Sequence, residues 1–448
     1  MGLLRRLAAP LVGDTDERVI VLALARMVGA LGNSFLVVVL PLYIASGQID
    51  LAGLLDTAVG VGPATVTLTE PLLIGIVLSL FGFLNSFAQP FTGRLSDRTA
   101  KRKLYILLGI ALLGTASGLY AFAEDYWVVM LLRAIQGIGV GFAVPATVAL
   151  VNEYSAGGGR GGSFGVFNTF RLIGFGFGPL AAGLVVELGP YGPVPIPGLG
   201  AVTLSGFDAA FLVAFLGAFG SFTLVSILVS DAEEAEASAG DDLAVSIRGE
   251  DDRILDPVFT LGLATVFMGI TIALFATLQN QVNARLGQDA VFFSLQFGAV
   301  VIANVLFQIP VGRLSDEYGR KPFLVGGFLI LIPSIFVQGV VFSPWLMLLA
   351  RLVQGVAVAM VFAPSLALAG DLAKKGQSGT TLSVLTMGFG LGIAIGPLAS
   401  GYLVGIGFSV PFTAGAVLAV LGLVLVVTQV EETVDVAGGG RPDGAPQD

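Results

Sequence analysis

The chain reads as an all-α membrane protein, twelve transmembrane helices in two pseudo-symmetric six-helix bundles. Three observations predict this. Only 12% of the 448 residues are charged and 55% are hydrophobic, whereas a soluble protein carries about 25% charged residues. Too little charge is left to cover a water-facing surface of this size. Three cassettes recur in one order: Gly93-Arg-Leu-Ser-Asp97 as Gly312-Arg-Leu-Ser-Asp316, Arg133-Ala-Ile-Gln-Gly137 as Arg351-Leu-Val-Gln-Gly355, and Gly178-Pro179-Leu-Ala as Gly396-Pro397-Leu-Ala. The last two lie 218 residues after their first copies. Such a repeat marks an internal duplication, and doubled apolar units are how many secondary transporters are built, with the substrate site between the halves. Each half also holds six apolar runs of membrane length.

A helix crossing about 30 Å of hydrocarbon needs roughly 20 mostly apolar residues. In the first half the runs are 18–45, 70–92, 103–122, 127–151, 163–188 and 207–230. In the second they are 258–284, 289–311, 322–342, 345–370, 379–405 and 408–429. Prolines between 190 and 197 and the pair Ser343-Pro344 break the chain between spans. The domain division is therefore 1–230, a first bundle; 231–257, a linker; 258–429, a second bundle; and 430–448, a tail.

Charge is uneven. The linker carries ten acidic and two basic residues and the tail five and one, so the rest of the chain is +3 within a total of −9. Such segments are solvated, do not suit nucleic-acid binding, and fit the salt-rich cytoplasm of a halophilic prokaryote. With no histidine and no cysteine, His/Cys metal sites, thiol redox chemistry and His-based catalysis are excluded. No cofactor and no enzymatic activity are expected. Residues 1–16 read as a cytoplasmic lead-in rather than a secretory signal. The short loops of one side hold Arg94, Arg98, Lys101, Arg102, Lys103, Arg160, Arg313, Arg320, Lys321, Lys374 and Lys375, with Arg5 and Arg6 ahead of the first span. Arg285 is the one basic residue on the other side. Positive charge stays inside, so this side and both termini are expected in the cytoplasm, in a plasma membrane. The outer segment 46–69 is apolar enough to lie on the membrane or over the cavity mouth.

The paired cassettes resemble the major facilitator superfamily, and the resemblance covers nearly the whole chain. That family's signature loop runs Gly-x-Leu-x-Asp-Arg-x-Gly-Arg-Lys between its second and third helices. The copies here are Gly93-Arg-Leu-Ser-Asp97-Arg98-Thr-Ala100-Lys101-Arg102 and Gly312-Arg-Leu-Ser-Asp316-Glu317-Tyr-Gly319-Arg320-Lys321. The first has Ala100 for the second glycine, and the second has Glu317 for the arginine. Physically, two spans joined by about ten residues need a tight reversal, for which Gly93 and Gly312 are suited. Asp97 and Asp316 can serve orphan N–H groups at a helix start. The basic residues can pair with Glu153 and Asp371. The resemblance implies that these contacts latch the two halves when the cytoplasmic side is shut. A bare topology signal is the rival reading, and the Asp and Gly residues argue against it. Gly174-Phe-Gly-Phe-Gly178-Pro179 is similar to the family's antiporter motif; bending and close helix packing are both open readings for it and for the copy at Gly396-Pro397. Leu31-Gly32-Asn33 and Leu40-Pro41-Leu42-Tyr43 resemble the first-helix motif of twelve-span drug/proton antiporters.

Ionisable groups in hydrocarbon are functional candidates by default. Arg26 lies roughly 13 Å into the first span, at 1.5 Å per residue, and Arg171 is similarly deep in the fifth. Arg133 and Arg351 lie near the outer ends of spans four and ten, and the resemblance implicates the Arg-x-x-Gln-Gly motif in proton transfer. No Asp or Glu lies near the middle of any span; Glu70, Glu187, Asp208 and Asp289 sit at outer ends. Many cation exporters of the family carry a carboxylate in the first helix, where this chain has Arg26 and Asn33. A cavity lined by arginines favours anionic or neutral substrates. Gln136, Gln354, Gln279, Asn280, Asn283 and Gln296 are candidates for the cavity wall or for interhelical bonding. The expected function is secondary active transport by alternating access, as a proton-coupled exporter of a small organic molecule or drug. The alternatives are a symporter or uniporter for a small metabolite and a non-transporting membrane receptor or scaffold. A monomer is expected. Arginine keeps its proton in proteins, so a coupling proton would ride on Glu70, Glu153 or Asp289.

Overall fold

The structure is a computed structural model that describes residues 16–61, 64–154, 160–196, 200–231, 248, 254–372 and 378–433. Arg5, Arg6, Lys374, Lys375 and most of the linker and tail lie outside the described residues. Among the described residues twelve helices are long and apolar enough to cross a membrane. They are α1 Glu17–Ala45, α2 Glu70–Thr99, α3 Arg102–Leu119, α4 Tyr126–Tyr154, α5 Arg160–Glu187, α6 Gly206–Leu228, α7 Pro257–Ala273, α8 Ala290–Tyr318, α9 Arg320–Gln338, α10 Pro344–Leu372, α11 Ser378–Leu403 and α12 Val410–Gln429. Local chemistry sets several starts. The Asp16 carboxylate accepts from Arg18 N at 2.8 Å, and the Arg18 side chain holds that carboxyl below its usual range. Asp256 caps α7 ahead of Pro257, Asp289 caps α8, and Ser205 with Asp208 forms a capping box on α6.

The two halves pack by the same helix pairs. In the first lobe α1 packs on α5 and α6, α2 on α4, and α3 on α4 and α6; in the second α7 packs on α11 and α12, α8 on α10, and α9 on α10 and α12. The lobes meet through α2 with α11 and α5 with α8. A two-fold operation that carries the first lobe onto the second exchanges these seams. Gly183 faces Ala290 across one seam, and Gly401 faces Leu72 across the other.

One end of the molecule carries two β-hairpins, β1 Ala58–Val61 with β2 Ala64–Thr67, and β3 Tyr191–Ile196 with β4 Gly200–Leu204. We call it the hairpin face and the opposite end the loop face. Within the apolar segment 46–69, Ala58–Val61 and Ala64–Thr67 thus pair as a hairpin. On the hairpin side one apolar core spans both lobes, joining Phe35, Tyr43, Leu73 and Val77 to Phe275, Leu278, Phe293 and Phe297. On the loop side the core splits into one cluster per lobe. Among the described residues the buried core is therefore shared by both lobes at the hairpin face and divided between them at the loop face.

Two expectations need correction. The signature is not a loop. Helix α2 runs to Thr99 and α8 to Tyr318, so Gly93 and Gly312 are helical. The reversals occur at Ala100, φ +52°, and Gly319, φ +97°. The polar motif residues looked like a loop because the helices outrun the hydrocarbon. The left-handed region costs an L-residue roughly 1 kcal/mol, so Ala100→Gly is expected to raise the melting temperature of the purified protein and Gly319→Ala to lower it. Span seven also stops early: α7 ends in a 3₁₀ turn, Leu274–Thr277, and Gln279–Leu286 is a separate short helix. Its Gln/Asn-rich composition suits the membrane boundary better than the interior.

Candidate functional site

The polar residues form four groups, and the duplication separates scaffold from site. The first group is the pair of loop-face clusters. Arg102, 5% exposed, bonds Asp97 Oδ1 at 2.5 Å, Glu153 Oε1 at 3.0 Å and Ser96 Oγ at 3.0 Å. Its counterpart by contact, Arg320, one position earlier in the motif, bonds Asp371 and, at 3.3 Å, Asp316. Arg98 is exposed; Arg102 makes the ion pairs. Each cluster ties α2, α3 and α4, or α8, α9 and α10, within its own lobe, and among the described residues its ion pairs stay there. Neighbouring lysines repeat too. Lys103 N donates to Asp231 Oδ1 at 2.7 Å and its Nζ to Ser226 O; Lys321 N donates to Glu432 Oε2 at 2.8 Å and its Nζ to Val427 O. Each lysine thus caps one helix end while the acid beyond that end caps the lysine's own helix.

The second group is the buried Arg/Gln pair. Arg133, 1% exposed, donates to Gln136 Oε1 at 3.1 Å and lies 4.3 Å over the Phe81 ring. Gln136 also accepts from Tyr120 Oη and donates to Ser117 Oγ. In the second lobe Arg351 donates to Gln354 Oε1 at 2.7 Å and to Gln296 O, and lies 4.3 Å over Phe275. Gln338 takes the place of Tyr120. Aromatic faces and amides carry these charges without a carboxylate. Both guanidiniums are enclosed within their lobes here, as are Gln296 and the two motif glutamines.

The third group is glycine packing. Gly174 presses on Met27 and Leu31 of α1, and Gly178 on Ser34, Leu31 and Phe35; the copies Gly392 and Gly396 press on Val266, Gly269, Ile270 and Ala273 of α7. Pro179 and Pro397 lie inside α5 and α11. These glycines hold each lobe together, while Gly75, Gly82, Gly183 and Gly401 hold lobe to lobe. At the hairpin face Asn280 Nδ2 donates to Glu70 Oε1 across the lobes at 3.2 Å. Gln279 beside it is fully buried with both amide atoms unpartnered. Asn283 accepts from Gln288.

The fourth group is not copied. The matched glycine contacts align Met27 with Val266 and Leu31 with Ile270, so Arg26 corresponds to Thr265 and Asn33 to Ile272; Arg171 corresponds to Phe389. Gly29 shares a face of α1 with Arg26 and Asn33, and nothing lies within 4 Å of a Cβ there. From Val19 to Ala45 no residue of α1 is exposed, so this face looks into the space between the lobes. Arg171 Nε and Nη2 donate to Asn168 Oδ1 at 3.1 and 2.9 Å. Asn33 Oδ1, Asn304 Oδ1 and Arg26 Nε are buried without a hydrogen-bond partner. Asn168 escaped the sequence reading. So did Asn85 and Gln89, bonded at 3.1 Å, although the Asn-x-x-x-Gln spacing that recurs at Asn304 and Gln308 could have revealed them.

Comparison with known proteins agrees with this architecture. A model of the Major Facilitator Superfamily matches residues 22–248 and 258–446. The multidrug resistance protein MdtG of Dickeya zeae is 28% identical over 291 residues, 63% of this chain and 66% of the relative; MdtG of Salmonella arizonae is also 28% identical, with the same coverage. The match thus spans just under two thirds of these relatives' length. A D-xylose-proton symporter superposes with a TM-score of 0.68 at 17% identity, covering 93% of this chain and 98% of that one. A bacterial homologue of the human lysosomal transporter Spinster, inward-facing and occupied, gives 0.68 at 13%, covering 91% and 94%. With one family model spanning both lobes of a duplicated twelve-helix fold, the chain belongs to the Major Facilitator Superfamily.

Proposed function

We propose that the protein is a secondary active transporter that exports a small organic molecule by alternating access, driven by protons. One observation carries the reading: two lobes related by a two-fold share a core at one face and part at the other. Rocking about the exchanged seams would close the loop face and open the hairpin face. The basic residues of the loop face, against Arg285 at the other end, support a cytoplasmic loop face. The conformation is then inward-open, with Asp16 and Thr433 on the cytoplasmic side and the two six-helix bundles as domains. The name of the MdtG relatives supports export of drug-like molecules.

Among the three carboxylates open to a coupling role, Asp289 caps α8 and Glu153 is held by Arg102. Glu70 bonds across the seam that must break when the hairpin face opens, so protonation there would couple to rocking. In proteoliposomes an imposed pH gradient is expected to drive flux. Glu70→Gln is expected to cut the gradient-driven part several-fold while leaving gradient-free exchange in place. Flux that ignores the gradient in the parent protein would refute proton coupling.

A further inference from the structure

We infer that Arg26 and Arg171 form a binding site for an oxyanion — a carboxylate, phosphonate or sulfonate carried on a small organic body. Calling that anion the substrate rests on the transport reading; the site itself does not. Helices α1 and α5 run parallel, and Gly174 against Met27 and Leu31, with Gly178 against Leu31 and Phe35, sets their register. Arg171, one turn before Gly174, is then level with Arg26, and the two guanidiniums act on each other through like charge. They stand roughly 13 Å along α1 from its start, where like charges repel.

Four other arginines of the described helices have partners that answer their charge. Arg102 and Arg320 hold carboxylates. Arg133 and Arg351 hold glutamine oxygens and ring faces. An unpartnered Nε is common to Arg26, Arg133 and Arg320, but among the described residues no hydrogen bond, ring face or carboxylate answers Arg26, and the hydrogen bonds of Arg171 go to Asn168 on its own helix. No carboxylate lies in the middle of any described span. The scaffold arginines are duplicated, whereas these two align with Thr265 and Phe389. A residue absent from the sister lobe is not required by the fold that both lobes share. The planar guanidinium fork matches the two oxygens of a carboxylate or phosphonate. Gly29 and Val37 give the same face of α1 an apolar strip for an organic body. A bound oxyanion would neutralise the pair and replace the missing acid.

The test is a binding titration on the full-length protein in detergent, with four probes of one apolar body: phenylphosphonate, benzoate, benzylammonium and benzamide. The two anions are expected to bind and to raise the melting temperature, and the cation and the neutral amide are not. Arg26→Gln and Arg171→Gln are each expected to weaken phenylphosphonate binding roughly ten- to a hundred-fold, a span of about 1.4–2.8 kcal/mol, and Arg26→Lys to retain part of it. Without ligand the glutamine variants should melt no lower than the parent, since each loses a charge with no opposite charge beside it; a purely structural arginine would lower it. Equal binding of benzylammonium, or phenylphosphonate affinity unchanged in Arg26→Gln, overturns the site. Anion binding without flux in proteoliposomes would sink the transport reading and leave the site. Gradient-driven flux of a cation without anion binding would do the reverse.

Discussion

Replacing Arg102 by alanine is expected to destabilise the protein by about 3 kcal/mol, whereas Arg320→Ala is expected to cost about 1 kcal/mol or less. The motif is the same; the burial is not. The Arg102 side chain is 6% exposed, and its partners Asp97 and Glu153 are 30% and 20% exposed. Removing it leaves two carboxylates facing each other at the end of α2 and α4, one of them with a buried, unpartnered Oε2 already. In the second lobe Asp316 is 62% exposed and Asp371 37%, so water takes over when the arginine goes. Thr433 also bonds Asp371. The first-lobe cluster is thus the stronger of the two, although its signature has lost the second glycine. Thermal unfolding of the two variants side by side decides it, and equal losses would mean that the burial difference has no energetic weight. Arg102→Lys should fall between, keeping the charge but not the fork that reaches Asp97 and Glu153 together.

What could be read before the fold was known follows the range of each interaction. Hydropathy over some 20 residues and repeats 218 residues apart are properties of the chain, so twelve spans and two halves were legible. The pairing of basic loop residues with Glu153 and Asp371 was legible too, because opposite charges at one membrane face have few other partners. Helix ends were harder. Nothing in Gln279-Asn-Gln-Val-Asn283 announces that α7 has already stopped at a 3₁₀ turn, since no glycine or proline marks the break. The direction of a side chain around its helix was the least legible. Arg133 and Arg26 look alike as single cations in apolar spans, yet one is sealed behind Phe81 and the other faces the inter-lobe space. Only the pairing of α1 with α7, visible through the glycine contacts, shows that Arg26 has no twin.

Those glycines also separate the two kinds of motion that transport requires. Leucine in place of Gly392 would drive a side chain into Gly269 Cα and Ile270 N, both 2.9 Å from the first added carbon. Backbone within one tightly packed lobe cannot move away from it, so Gly392→Leu, like Gly174→Leu, is expected to abolish folding or lower the melting temperature sharply. Leucine at Gly401 meets Leu72 Cα at 3.0 Å, and leucine at Gly183 meets Ser294 Cβ at 2.9 Å, but these atoms belong to the other lobe. Rigid-body parting of the lobes relieves that clash without unpacking either one. If the clash costs about 2 kcal/mol in the hairpin-closed form, it tilts the equilibrium roughly thirty-fold toward the form open at the hairpin face. Gly401→Leu and Gly183→Leu should therefore fold, lose transport, and shift in the same direction, because the two-fold exchanges their seams. The chain has no cysteine, so a single introduced thiol reports the shift: Asn85→Cys, half-buried midway along α2, should change its reactivity to a soluble reagent as the lobes move. Unchanged labelling in a folded, inactive Gly401→Leu would mean that the lobes do not part at this seam.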